Sequence, residues 1–131
     1  MAFIFYNPNP SGKMVDDCQV RSLARILDTS WNVAFSMLTM QGFYDKDMPH
    51  GNSVMQSVIT KYGYEKVVAP NRCPECYTLR EFCEDNPRGR YLVVSNDHIT
   101  AVVDGDYYDT WDSGDVVPIF YWRKIGLDKE E

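Results

Sequence analysis

The chain has 131 residues, enough for one domain built around one hydrophobic core, and residues 1–131 are taken as a single domain. A hydrophobic share of 44%, with 14% aromatic residues, excludes a disordered chain. A net charge of -6 argues against a general nucleic-acid binder or a protein held to an anionic membrane.

Met1-Ala2-Phe3-Ile4-Phe5-Tyr6-Asn7-Pro8 lacks the basic segment and apolar run of a secretion signal. No apolar stretch approaches the ~20 residues that span a bilayer. A cytoplasmic protein with reduced thiols is the expectation. The cysteines are Cys18, Cys73, Cys76 and Cys83.

Phe3 to Tyr6 predicts a short strand, broken by Asn7-Pro8-Asn9-Pro10-Ser11-Gly12. From Cys18, the residues Val20, Leu23, Ala24, Ile26 and Leu27 recur at helical spacing. Thr29 or Ser30 caps a second predicted helix that carries Trp31, Ala34, Phe35 and Leu38 and stops at Gly42. A loop is expected from Tyr44 to Gly51. A third helix then starts at Asn52 or Ser53, carries Val54, Met55, Val58, Ile59 and Tyr62, and ends at Gly63.

Lys66 to Ala69 predicts a strand. Thr78-Leu79-Arg80-Glu81 is a capping box that opens a fourth helix, finished before Pro87. Four strand-like runs follow: Tyr91 to Val94, Ile99 to Val103, Tyr107 to Trp111 and Val117 to Trp122. Their short connections favour an antiparallel meander. Helices first and strands after predict an α+β domain, with N-terminal helices packed on a C-terminal antiparallel sheet.

The chemistry-bearing residues fall at telling places. Cys18 sits where turn-prone sequence gives way to a helix, and a helix N-terminus favours a thiolate. Asp16 and Asp17 oppose that with negative charge unless their side chains cap the helix and point away. Asp104-Gly105 is a two-residue hairpin signal. With those residues as the loop, Val103 pairs with Asp106 and Thr100 with Asp109. His98, Thr100, Asp109 and Trp111 then share one face, with His98 and Asp109 diagonal neighbours. Asp112 falls on the other face, and only a bulge would bring it in. Trp111 is placed to shield the imidazole–carboxylate contact from water. A thiol, an imidazole and a carboxylate in this order suggest a nucleophile, its base and the group that orients the base.

Each residue also has a plainer reading. Cysteine is often a small core residue. His98 alone fits a half-exposed strand end, and Asp109 alone a surface position. Cys73-Pro74-Glu75-Cys76 has metal-ligand spacing but lacks two further ligands, so neither a metal nor a cofactor is expected. Cys83 is expected in or near the core, and His50 in a loop that can line a cleft.

The residues from Tyr91 through Gly105, with Cys18 opening a helix far upstream, resemble the papain-like cysteine peptidase superfamily, particularly its bacteriocin-leader peptidases and cell-wall endopeptidases. The whole chain also resembles small proteins of Gram-positive bacteria and their phages. The resemblance implies a papain-like fold, a Cys18–His98–Asp109 triad, and hydrolysis of a peptide or isopeptide amide in a peptide or protein substrate through an acyl-enzyme thioester. The papain pattern has a Gln six residues before the Cys to help hold the oxyanion; here that position is Gly12. The Cys18 backbone N–H supplies one donor, and Asn7, Asn9, Lys13 or the Asp16-Asp17 turn the other. Two other readings accompany this one. One is a papain-like binding protein with a weak or inactive site, phage-derived and aimed at a host protein. The other is a transferase that resolves the thioester with an amine.

Overall fold

The computed structural model describes residues 2–70 and 76–125. The elements run β1 (Phe3–Phe5), α1 (Cys18–Ile26), α2 (Trp31–Asp45), α3 (Asn52–Thr60), β2 (Tyr64–Val68), α4 (Leu79–Asp85), β3 (Arg90–Ser95), β4 (His98–Val103), β5 (Asp106–Asp109) and β6 (Phe120–Lys124). Four helices and a six-stranded sheet make a mixed α+β fold.

The helix starts follow local chemistry. The Ser30 side chain accepts the Val33 N–H at 3.1 Å. Thr78 and Glu81 close a reciprocal capping box on α4. α3 is capped by Gly51, so Asn52 is its first helical residue. α2 runs past the expected stop at Gly42 and ends at Lys46, which takes the left-handed conformation. Gly42 is buried because the chain after the helix folds back on it. A Cβ there would lie 2.7 Å from the Asp47 carbonyl oxygen and 3.3 Å from the Pro49 nitrogen. The glycine makes room for a loop; it does not end the helix.

The strand order is β1-β5-β4-β3-β6-β2. The expected meander holds for β3, β4 and β5 and then breaks. β5 pairs on its outer side with β1, in parallel, matching Phe3 with Tyr107 and Phe5 with Asp109. With that edge filled, the chain from 110 to 119 runs past the start of α4, where the Leu79 and Arg80 N–H groups donate to the Val116 and Gly114 carbonyls. β6 then joins the free edge of β3, antiparallel, and carries β2 beyond it.

Both faces of the sheet are covered, so the single helical layer expected from the sequence becomes two. Leu92, Val94, Ile99, Ala101 and Trp122 pack with Leu23, Ile26, Leu38, Met55 and Ile59 of α1–α3. Val93, Val102 and Tyr107 pack under Leu79, Phe82 and Cys83 of α4. Burial on both sides explains why β3 and β4 read as continuous apolar runs. Among the described residues, no helix is long and apolar enough to cross a membrane.

Candidate active site

The β4–β5 hairpin turns at Asp104-Gly105, both with positive φ, in the register Val103↔Asp106, Val102↔Tyr107, Ala101↔Tyr108. That register carries the His98 and Asp109 side chains to each other, with Nε2 of His98 at 2.6 Å from Oδ2 of Asp109. Thr100 Oγ1 donates to the same oxygen at 3.2 Å. The Trp111 ring lies 4.9 Å from the imidazole, while Trp111 itself stays half exposed. The side chain of Asp109 is 1% exposed and that of His98 13%. Asp112 belongs elsewhere: it accepts from Tyr107 Oη, Arg80 and the Gly114 N–H.

Asp109 is held on both oxygens. Oδ1 accepts from Arg21 at 3.0 Å and from the Thr110 N–H at 2.9 Å. Oδ2 also accepts from Ser113 Oγ at 2.6 Å. Burial works to raise the Asp109 pKa, but the hydrogen bonds from His98, Ser113 and Thr110 and the charge of His98 outweigh it and hold the carboxyl below its ordinary value.

Cys18 is the first residue of α1 and is buried. With Nε2 of His98 engaged by Asp109, Nδ1 is the ring nitrogen left for Cys18. Burial alone would lower the His98 pKa. Hydrogen bonding to Asp109 and to Cys18, together with the charges of both, overcomes burial and pushes it up to about 9. At neutral pH the imidazole therefore carries its proton.

Asp17 lies at the N-cap of α1 yet makes no cap hydrogen bond. Its side chain is turned into the protein instead. Oδ1 pairs with Arg21 at 2.5 Å and Oδ2 accepts the Trp31 indole N–H at 2.7 Å. A continuous chain of contacts therefore runs Trp31–Asp17–Arg21–Asp109–His98. Counting Asp17, Arg21, Asp109 and protonated His98, its formal charges cancel. The concern that Asp17 would face the thiol with an unbalanced charge is removed by this pairing.

The thiol opens onto a cleft of about 760 Å³ lined by Asp16, Gln19, His50, Asn52, Ser95, Asp97 and His98 among others. Gln19 is part of its wall. Its Oε1 accepts from Cys18 Sγ at 3.4 Å and its Nε2 donates to the His50 carbonyl at 2.9 Å. An amide nitrogen has two hydrogens, so one Gln19 N–H remains for a ligand. Asn7 and Asn9 do not reach the cleft. Asn7 donates to the Gly12 and Lys13 carbonyls, and Asn9 accepts from Ser11. Gly12 is in a positive-φ turn, with nothing near its Cβ position.

The structure thus brings Cys18, His98 and Asp109 together. Arg21, Ser113 and Gln19 escaped the sequence reading, and Asp17, expected as a charge near the thiol or a helix cap, is instead a partner of Arg21 and Trp31. Asp17 and Arg21 carried a signal, four residues apart on a predicted helix, with the arginine interrupting an apolar face. Ser113 gave none, because the loop after β5 sets its position. Among the described residues no group of side chains is placed to hold a metal ion. Cys83 is fully buried with a free thiol, and burial pushes its pKa up to about 12. Cys76 is disulfide-bonded, against the expectation of reduced thiols, and Cys73 lies outside the described residues.

Comparison of the chain with protein-family models, with curated proteins and with solved structures finds no match.

Proposed function

We propose that this protein is a cysteine hydrolase of papain-like type, a peptidase or amidase acting through an acyl-enzyme thioester. The observation that carries the reading is His98, held at 2.6 Å by a buried carboxylate on Nε2 and within hydrogen-bonding reach of Cys18. Fold alone would not support it, since one architecture serves many activities.

In this mechanism the Cys18 proton already resides on His98 before substrate arrives, so the nucleophile is a thiolate beside an imidazolium. The sulfur attacks a carbonyl carbon, and the carbonyl π electrons move to oxygen. That oxyanion meets the Cys18 N–H at the start of α1 and the remaining N–H of Gln19. The C–N bond then breaks as His98 returns the proton to the leaving amine. Water, deprotonated by His98, attacks the thioester and releases the acid and the free thiol. Asp109 keeps the imidazole oriented and offsets its charge, and Arg21 and Ser113 keep Asp109 in place.

The test is labelling with a thiol-reactive probe across pH in wild type, Cys18→Ala and His98→Ala. Fast labelling near neutral pH that is lost in Cys18→Ala and slowed in His98→Ala supports the proposal. A Cys18 no more reactive than a free thiol sinks it.

The second reading, a binding protein with a weak or inactive site, draws on Gly12 and on Gln19. The residue type of the papain oxyanion position is missing, and the Gln19 amide is partly committed to His50. Unimpaired partner binding by Cys18→Ala, with no turnover by wild type, would favour it.

A further inference from the structure

The far end of α1 borders a separate pocket. Cys18 opens the helix and Ile26 closes it, about 12 Å further along the axis. On β3, Ser95 stands opposite His98 at one end and Arg90 lies at the other. At the Ile26 and Arg90 ends is a pocket of about 410 Å³, with an apolar wall of Ile26, Leu27, Val33 and Met37 and a polar one that includes Tyr64, Arg90 and Lys124. It shares no lining residue with the Cys18 cleft. Small-molecule sites of this size combine apolar walls with a few fixed polar groups.

Three groups here have hydrogen-bonding capacity to spare. Tyr64 is 4% exposed, yet its hydroxyl makes no hydrogen bond among the described residues. No described side-chain oxygen or nitrogen is both sealed from solvent and unpartnered, so that hydroxyl opens onto the pocket Tyr64 lines. Burial pushes its pKa up to about 12, so it keeps its proton at neutral pH. Arg90 donates to the Ile26 carbonyl at 2.6 Å and pairs with Asp28 at 2.8 Å, and a guanidinium has five N–H groups. Lys124 donates to the Tyr62 carbonyl and has no carboxylate partner among the described residues.

Charge sets the ligand class. Asp28 is shared between Arg25 and Arg90, and Glu65 is paired with Arg123. Arg25, Arg90 and Lys124 therefore share one carboxylate, a local positive surplus in a chain of net charge -6. Unspent donors and surplus positive charge beside an apolar wall suit an anion with an apolar body. An apolar cavity of ~150 Å³ accepts a benzene ring, so this pocket has room for an aryl group and a short carboxylate arm.

We propose that this pocket binds a small organic carboxylate with an aryl body, the ring against Ile26, Val33 and Met37 and the carboxylate on Arg90, Lys124 and the Tyr64 hydroxyl. The proposal does not rest on the hydrolase reading.

The test is NMR titration of the full-length protein with 3-phenylpropionate, following the Ile26 and Met37 methyl resonances. Its neutral counterpart 3-phenylpropanamide keeps the ring and loses the charge, and acetate keeps the charge and loses the ring. The carboxylate is expected to give a saturable shift, with the amide and acetate each at least about tenfold weaker. Tyr64→Phe removes only the hydroxyl and should weaken 3-phenylpropionate by about three- to tenfold, and Lys124→Met by at least as much. Val33→Phe, a half-exposed substitution at the wall, keeps every charge and should abolish the shift by filling the pocket. Unchanged Cys18 and His98 resonances in each variant show that it is folded. Equal binding of the acid and the amide, full affinity in both Tyr64→Phe and Lys124→Met, or methyl resonances unmoved up to about 10 mM overturns the proposal. Shifts at Cys18 and His98 in place of Ile26 and Met37 also overturn it, since the ligand would then occupy the catalytic cleft.

Discussion

Arg21 and Asp109 are 88 residues apart in sequence and meet at 3.0 Å where water scarcely reaches, with side chains 6% and 1% exposed. The same guanidinium grips Asp17 at 2.5 Å. One planar cation therefore ties the start of α1 to the end of β5, the two places that carry Cys18 and the partner of His98. Arginine suits this role because its fork presents several donors in fixed directions.

Arg21→Met leaves two buried carboxylates short of a cation, so unfolding free energy should drop by about 3–5 kcal/mol. Arg21→Lys should recover only part of this, since one ammonium cannot reproduce the planar bridge. Urea denaturation of the three proteins measures both. A loss below about 1 kcal/mol for Arg21→Met would show that the pair does not hold the site together.

The raised pKa of His98 makes stability depend on alkaline pH. The group moves from an ordinary 6.5 to about 9 in the folded protein, so the folded state binds its proton more tightly. The resulting stabilisation is complete below pH 6.5 and is lost as pH rises through 9. Allowing for solvent screening around a partly exposed ring, the expected loss is about 1–2 kcal/mol. His98→Gln, which does not titrate, should show no such fall over this range. A wild-type curve parallel to that of the variant would contradict the assignment.

Asp109→Asn separates charge from shape. The amide preserves the size of the side chain but removes the negative charge that holds the imidazolium. The His98 titration should move down from about 9 towards 6.5, and Cys18 labelling near pH 7 should slow. Ser113→Ala removes only the 2.6 Å hydroxyl contact to Oδ2 and leaves Thr100 and Arg21 on the carboxylate. Its expected cost is about 1.5–3 kcal/mol of stability, with His98 still titrating well above 6.5. NMR of the imidazole nitrogens against pH distinguishes the two. Equal displacement of His98 in both variants would show that orientation, not charge, sets its pKa.

These relationships were unequally legible in the chain. Period-two alternation around Asp104-Gly105 carried enough information to pair His98 with Asp109 and set Asp112 aside, because a two-residue turn fixes register. The capping box at Thr78 was equally local. Gly42 was misleading, because glycine stops a helix and also admits a close backbone, and sequence pattern does not separate those uses. The parallel β1–β5 pairing joins the first strand to one about a hundred residues later, and no local signal encodes such a partner. Ser113 and the Gln19–His50 contact depend on how loops come to rest against α1.

Gly42→Ala puts the loop argument to a direct test. Helix propensity alone favours alanine over glycine by about 1 kcal/mol in a helix interior. Packing opposes it, because the new methyl would sit 2.7 Å from the Asp47 carbonyl oxygen and 3.3 Å from the Pro49 nitrogen. Both are backbone atoms, so relief requires the loop to move as a unit. His50 would move with it and loosen the 2.9 Å bond that its carbonyl accepts from Gln19. The expected result is a net destabilisation of about 1–3 kcal/mol, together with a shift of the Gln19 side-chain amide resonances and a changed Cys18 labelling rate. Ser36→Ala, on an exposed turn of the same helix, is the control that isolates propensity. A Gly42→Ala protein as stable as wild type, with the Gln19 resonances in place, would mean that the loop does not depend on the bare position and that the wall of the cleft is held by other contacts.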